Sequence, residues 1–241
     1  MAMARWRTDF ARWEKQEGSP VSEVDLDVDR FLRVRLSALL PDAGWLSEET
    51  ADNADRLRQD RVWIVDPIDG TRDFIRGRPG WCVSVALVEA GRAVIGVLDA
   101  PARDEVWTAT AGGGATRNGE PLRASGQAEL IGARVPADAL PRSDRDVLVA
   151  VAKPNSIALR IAMVAAGEAD LVVTQRWGNE WDVAAAALIA SEAGAGVSDA
   201  LGQPLAFNQP RPQAFGLVVS ASAIHLPAVE RWRERAAAAR G

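Results

Sequence analysis

The segment Val62–Phe74 reads V-W-I-V-D-P-I-D-G-T-R-D-F and constrains the fold more than any other stretch of the chain. Four apolar residues, Val62 to Val65, are predicted to drive a strand into a core. The strand is expected to stop on Asp66, because Pro67 has no N–H to give to a ladder. Three residues on stands Asp69, followed by Gly70 to let the backbone turn and Thr71 to cap what begins at Arg72. Two carboxylates, the Ile68 carbonyl and a hydroxyl are thus crowded into one bend. Carboxylates this close repel one another at neutral pH unless a proton or cation lies among them. The donors are all oxygen, so the expected cation is hard: Mg²⁺ first, Mn²⁺ as a substitute, Ca²⁺ as a non-productive competitor. Asp-Pro and Asp-Gly are also ordinary turn chemistry, so the bend alone leaves a purely structural reading open.

The other totals narrow the chemistry. The chain has 241 residues, 48% of them hydrophobic and 25% charged, as in an ordinary globular protein with room for a large core. A net charge of −5 without a basic stripe argues against a nucleic-acid polymer or an anionic membrane as partner. One histidine, His225, and one cysteine, Cys82 in the apolar run W-C-V-S-V-A-L-V, leave no material for a His-based triad or a His/Cys zinc site. No apolar run reaches membrane-spanning length and the first ten residues lack a signal-peptide core, so the expected address is cytoplasmic.

Along the chain, Val24–Leu40 has the spacing of an amphipathic helix after the punctuation Gly18-Ser19-Pro20. Trp81–Glu89 and Ala93–Asp99 read as a hairpin, and Val106–Ala111 as a further strand. The run Gly112-Gly113-Gly114 lacks the Gly-Lys-Ser/Thr of a phosphate loop and precedes Asn118-Gly119, which favours hairpin turns over a nucleotide cradle. Strands are expected at Val147–Ala152, Ala169–Thr174 and Phe215–Ala221, and helices at Ser156–Ala166, Asp182–Ala193 and Ala228–Ala239. The Ala, Gly, Pro and charge-rich stretch from Ala124 to Asp146 marks a boundary between two halves, 1–125 and 126–241. The pattern is that of a layered α/β (α+β) protein.

Three further places hold carboxylates that a fold could bring to Asp66 and Asp69: Glu48-Glu49, Asp25 at the start of the first long helix, and Glu180-Trp181-Asp182 at the start of an alanine-rich one. Each has a plain alternative, as a solvated pair, a dipole partner or a helix cap. Taken together, D-P-I-D-G-T at Asp66–Thr71, S-E-E at Ser47–Glu49, S-P-V-S-E-V-D at Ser19–Asp25 and W-D-V-A-A-A-A-L-I-A-S-E-A-G at Trp181–Gly194 resemble the inositol monophosphatase superfamily of Mg-dependent, Li-sensitive phosphatases. The motifs stand in the family's order, from about Lys15 onward. The haloacid dehalogenase family also ends a strand in D-G-T, but there the spacing is Asp-x-Asp, not the Asp66-x-x-Asp69 of this chain.

The resemblance implies an αβαβα sandwich with a shortened N-terminal layer, most metal ligands in the first half, and Asp182 with substrate contacts in the second. It places Glu48, Asp66 and the Ile68 carbonyl on one Mg²⁺, Asp66, Asp69 and Asp182 on a second, and a looser third ion near Glu48, with Li⁺ and Ca²⁺ inhibitory. Asp25 and Thr71, with Glu48, would activate the attacking water, and the Gly70 and Thr71 N–H groups would face the phosphate. The position of a sugar-binding glutamate holds Gln175, and that of a helix glycine holds Ala186 or Ala187. Arg72-Asp73-Phe74 and Glu180 look more like 3′(2′),5′-bisphosphate nucleotidases, with Arg176 or Lys153 for a second phosphate. The expected activity is therefore phosphomonoester hydrolysis on a small phosphorylated metabolite, led by the bisphosphate nucleotidase reading, then inositol-1-monophosphate, then histidinol phosphate. A metal-binding interaction module is the alternative of a different class, and a homodimer is the expected assembly.

Overall fold

Alternation along one strand sets the layering. In the computed structural model, which describes residues 1–16 and 19–240, Arg61–Asp69 forms a strand whose Val62 and Ile64 face one core while Trp63 and Val65 face another. Such a strand has two buried faces and needs a layer on each. Gly18 of the expected punctuation lies outside the described residues.

In chain order the elements are α1 (Ala2–Arg5), β1 (Arg12–Gln16), β2 (Ser19–Ser22), α2 (Glu23–Leu39), β3 (Gly44–Ser47), β4 (Arg61–Asp69), α3 (Thr71–Ile75), β5 (Cys82–Glu89), β6 (Arg92–Ala100), β7 (Glu105–Thr110), β8 (Gly114–Arg117) and β9 (Glu120–Pro121). They continue with β10 (Ala133–Pro136), β11 (Leu148–Val151), α4 (Ile157–Ala165), β12 (Leu171–Asn179), α5 (Glu180–Glu192), β13 (Gly196–Ser198), β14 (Gln213–Ser220) and α6 (His225–Arg240). Strands β3 to β9 make a seven-stranded sheet in sequence order, parallel at β3–β4 and antiparallel beyond; a three-stranded sheet runs β12-β14-β13. Helix α2 lies on the outer face of the large sheet, with Leu32 and Leu36 against Trp63 and Val65. Helices α4 and α5 fill the space between the two sheets, and α6 covers the far face of the small one. The result is an α-β-α-β-α mixed α/β stack. Its largest core cluster joins Leu46, Val62 and Ile64 to Leu159, Ala184–Ala187 and Ile189, across the boundary expected at residue 125.

Two expectations are corrected. β4 does not end at Asp66: Asp66 pairs with Ser84 and Asp69 with Cys82, so β4 takes three steps where β5 takes two. The extra residue is a bulge, where Pro67 needs no ladder donor and the Ile68 N–H turns to Asp66 Oδ1 at 3.0 Å. Likewise β12 runs past Thr174 to Asn179, through an irregularity between Thr174 and Trp177. The glycine run is a turn between β7 and β8, as expected, and the Glu192 carboxylate accepts from the Gly112 and Gly114 N–H groups at 2.8 and 2.9 Å. Among the described residues, no helix is long and apolar enough to cross a membrane.

Candidate metal and catalytic centre

Parallel pairing of β3 with β4 puts Ser47 opposite Val65, and the Glu48 N–H donates to the Val65 carbonyl at 3.2 Å. Glu48 therefore leaves β3 beside the point where the β4 bulge begins at Asp66. The start of α5 brings the third carboxylate. Asn179 caps that helix, and its own N–H donates to Asp182 Oδ2 at 3.2 Å. Carboxylate oxygens of Glu48, Asp66 and Asp182 lie within 4.8 Å of one another. Residues separated by over a hundred positions thus form one acidic knot.

The bulge carries the rest of the loop inward. Asp69 is buried, and its Oδ2 accepts from Ser156 Oγ at 2.5 Å and from the Ala158 N–H at 2.7 Å. One carboxylate therefore caps α4 while lining the same cavity as Asp66 and Asp182. Gly70 follows at φ 95°, and a Cβ there would stand 2.7 Å from the Gly80 carbonyl and 2.9 Å from the Ser156 N. Only glycine fits this turn. Thr71 then sets its Oγ1 3.2 Å from Asp25 Oδ1 and 3.0 Å from the Ile68 carbonyl. Asp25, at the start of α2, is held by the Ser22 N–H at 2.9 Å and Ser22 Oγ at 2.5 Å, a capping box.

Burial and mutual repulsion shape the titration of these groups. Asp66 is pushed well above the usual carboxylate range, first by burial and then by the charges of Glu48, Asp69, Asp182 and Asp25. Asp182 is raised likewise, by burial and then by Asp69 and Glu48. Asp69 reaches only about 6, since the Ser156, Ala158 and Ile157 donors stabilise its anion against burial. Asp25 is raised by burial. Glu49 is raised to about 7 by burial, although Lys15 Nζ stands 2.5 Å from its Oε1 and pulls the other way. Such a set is stable as anions only around a cation, and its all-oxygen donors fit a hard divalent ion.

The cavity, about 510 Å³, is lined by Glu48, Asp66, Ile68, Asp69, Gly70, Thr71 and Asp182, and also by Arg72, Lys153, Arg160 and Arg176. Two residues expected as substrate contacts have partners elsewhere in the fold. Gln175 Nε2 donates to the Trp232 carbonyl at 3.0 Å, in the α6 layer. Glu180 is 1% exposed and accepts from the Asn208 N–H at 2.6 Å and the Gln209 N–H at 2.9 Å. Neither side chain lines the cavity, each being held by those partners instead. Lys15, Ser156 and Arg160 escaped the sequence reading. Only Ser156 carried a signal, as the N-cap of a foreseeable helix.

The profile of the Inositol monophosphatase family matches residues 1–240. The chain belongs to that family. It is 38% identical over 200 residues to an inositol-1-monophosphatase of Mesorhizobium japonicum, covering 77% of this chain and 74% of that protein. It is 36% identical over 194 residues to a fructose-1,6-bisphosphatase/inositol-1-monophosphatase of Thermotoga maritima, covering 76% and 72%. The solved structure of a Thermotoga maritima IMPase superposes with a TM-score of 0.82 at 31% identity, over 100% of this chain and 93% of that one. As a member of that family the chain is a metal-dependent phosphomonoesterase.

Proposed function

We propose that the chain hydrolyses a small phosphate monoester with Mg²⁺, through water activated at Thr71. The observation that carries this reading is the acidic knot of Glu48, Asp66 and Asp182 in the same cavity as the Thr71–Asp25 pair. Glu48, Asp66, Asp182, the Ile68 carbonyl and the outward lone pairs of Asp69 would hold the metal. Bound there, Mg²⁺ supplies charge neutralisation for the phosphate and a more acidic water.

The protein's own groups supply the proton path. Thr71 Oγ1 has one proton and two acceptors in reach, Asp25 Oδ1 and the Ile68 carbonyl. With that proton directed at Asp25, the Thr71 oxygen accepts from the attacking water. Asp25 takes the proton as the base, and its burial makes it a stronger base than a free aspartate. The water oxygen bonds to phosphorus as the ester P–O bond breaks; the leaving alkoxide takes a proton from solvent, giving phosphate and the alcohol, and Asp25 returns its proton to solvent. Gly70 and Thr71 N–H groups orient the phosphate oxygens. Thr71→Val keeps the shape and removes the relay, so kcat is expected to fall by about a hundredfold or more while Mg²⁺ affinity holds. Steady-state kinetics with calorimetric Mg²⁺ titration checks both halves.

For the substrate, the reading as a 3′(2′),5′-bisphosphate nucleotidase is favoured by the four cations that line the cavity, Arg72, Lys153, Arg160 and Arg176, which suit a second phosphate. Lys153 already pairs with Asp138, and Arg160 donates to the Pro154 and Asn155 carbonyls, so Arg176 is the foremost contact. The names of the relatives support inositol-1-phosphate as the second reading. Engagement of Gln175 by Trp232 removes a hydroxyl contact from it. Phosphate release from adenosine 3′,5′-bisphosphate, inositol 1-phosphate and histidinol phosphate, with Mg²⁺ and with chelator, tests the ranking. The bisphosphate is expected to lead in kcat/KM by about tenfold, one charge-assisted contact's worth. No turnover of any ester, with Mg²⁺ still raising Tm, would favour a binding module.

A further inference from the structure

A second buried ionic cluster lies outside the acidic cavity. Arg56, between β3 and β4, is 2% exposed, and its Nε and Nη2 donate to the two Asp52 oxygens at 2.7 and 2.9 Å. The same guanidinium donates to Asn208 Oδ1 at 2.6 Å and to the Gln209 carbonyl at 2.9 Å. The backbone amides of those two residues are the ones that Glu180 accepts, and the Asn208 Nδ2 returns to the Arg56 carbonyl at 3.4 Å. Asn208 sits at φ 57°, the left-handed turn that presents both amides to one carboxylate. Gly44, at the start of β3, completes the packing, since a Cβ there would lie 3.0 Å from the Arg56 Cα.

Desolvating a glutamate and an arginine this far is costly unless their polar atoms are paired, and here all three guanidinium nitrogens and both Glu180 oxygens have partners. The cluster also has a directional property. One end is fixed to the connection that follows Glu48; the other is the first residue of α5, two positions before Asp182. The strand pairing that holds Glu48 and the helix that holds Asp182 belong to different layers, and this cluster joins them by hydrogen bonds to the connection after Glu48, beside the single bond from Ser84 Oγ to the Trp181 carbonyl at 3.3 Å.

We infer that Arg56 and Glu180 are positioning residues that set the distance between Glu48 and Asp182, and hence the affinity for the divalent ion, without touching ion or substrate. The inference rests on the metal-dependent reading above. Loss of an outer partner of metal-binding groups typically costs about 10–100-fold in affinity. Calorimetric Mg²⁺ titration and the Mg²⁺-dependent rise in Tm, measured on the full chain, test it. Glu180→Gln and Arg56→Met are each expected to raise the Mg²⁺ Kd by about tenfold, with the double variant close to the worse single. KM for substrate at saturating Mg²⁺ should move far less. Lower metal-free Tm with an unchanged Kd would reduce the cluster to ordinary packing and overturn the inference. Should those variants fail to fold, Asn208→Gly keeps the left-handed turn and the amide that Glu180 accepts, and loses only the Arg56 contact. Its Kd is expected to rise about threefold, and an unchanged value overturns the inference as well. An unaltered protein that binds no Mg²⁺ would sink the functional reading and this inference together; normal binding with unaffected variants sinks the inference alone.

Discussion

Asp66 is the residue on which the acidic knot turns: it is buried, and four other carboxylates oppose its ionisation after the solvent is removed. Asp66→Asn keeps the shape, including the turn to the Ile68 N–H, and deletes the charge. Turnover should fall by more than about a hundredfold, since losses of that size already arise one contact further out. The metal-free Tm should hold or rise, because a repulsive charge has gone. Substantial residual rate, or a collapse in metal-free Tm, would contradict the assignment. Glu48 and Asp182 were legible as motif positions because each sits by an element's end or start, and Asp66 because Pro67 marks an irregularity directly after it. Glu180 and Gln175 were not. Both adjoin the right motif, but one turns to a loop 28 residues downstream and the other to the last helix, and spacing carries no information about either.

Among the elements, the β4–α3 turn has the narrowest tolerance. Gly70 lies at φ 95° against two backbone atoms from different segments, so Gly70→Ala meets both left-handed strain and collision. The variant should lose about 2 kcal/mol or more, measured by chemical denaturation, with Mg²⁺ binding weakened as Asp69 and Thr71 shift. A variant as stable as the parent would mean that the turn can relax. The long elements were readable from apolar periodicity: α2 begins one residue before its expected start, and α4 and α5 keep their expected cores. The bulge at Pro67 was hidden because a proline in a strand reads as a stop, and only the partner strand's count reveals the extra residue.

For the molecule as a whole, the raised carboxylates make stability and metal binding answer oppositely to pH. A carboxyl group whose folded pKa exceeds its unfolded value binds more protons folded than unfolded between the two, so stability falls as pH rises through that window. For Asp69 the window runs from 3.8 to about 6, and for Glu49 and Glu180 from 4.5 to about 7. With chelator, Tm should therefore decline between pH 5 and pH 7. A divalent ion needs the anions, so the Mg²⁺-dependent rise in Tm should grow over the same range. Thermal melts at several pH values, with Mg²⁺ and with chelator, check both slopes, and a metal-free Tm that climbs from pH 5 to pH 7 would contradict them. The five-layer stack was foreseen from the family likeness, while the core shared across residue 125 follows from small side chains along α5, which let that helix press against both sheets.

Helix α5 is tethered at both extremities by carboxylates: Glu180 grips the amides of one loop, and Glu192 grips those of the glycine hairpin. Thirteen residues make a rod of about 20 Å. A rod moored fore and aft cannot slide along its own axis without breaking one of its two moorings.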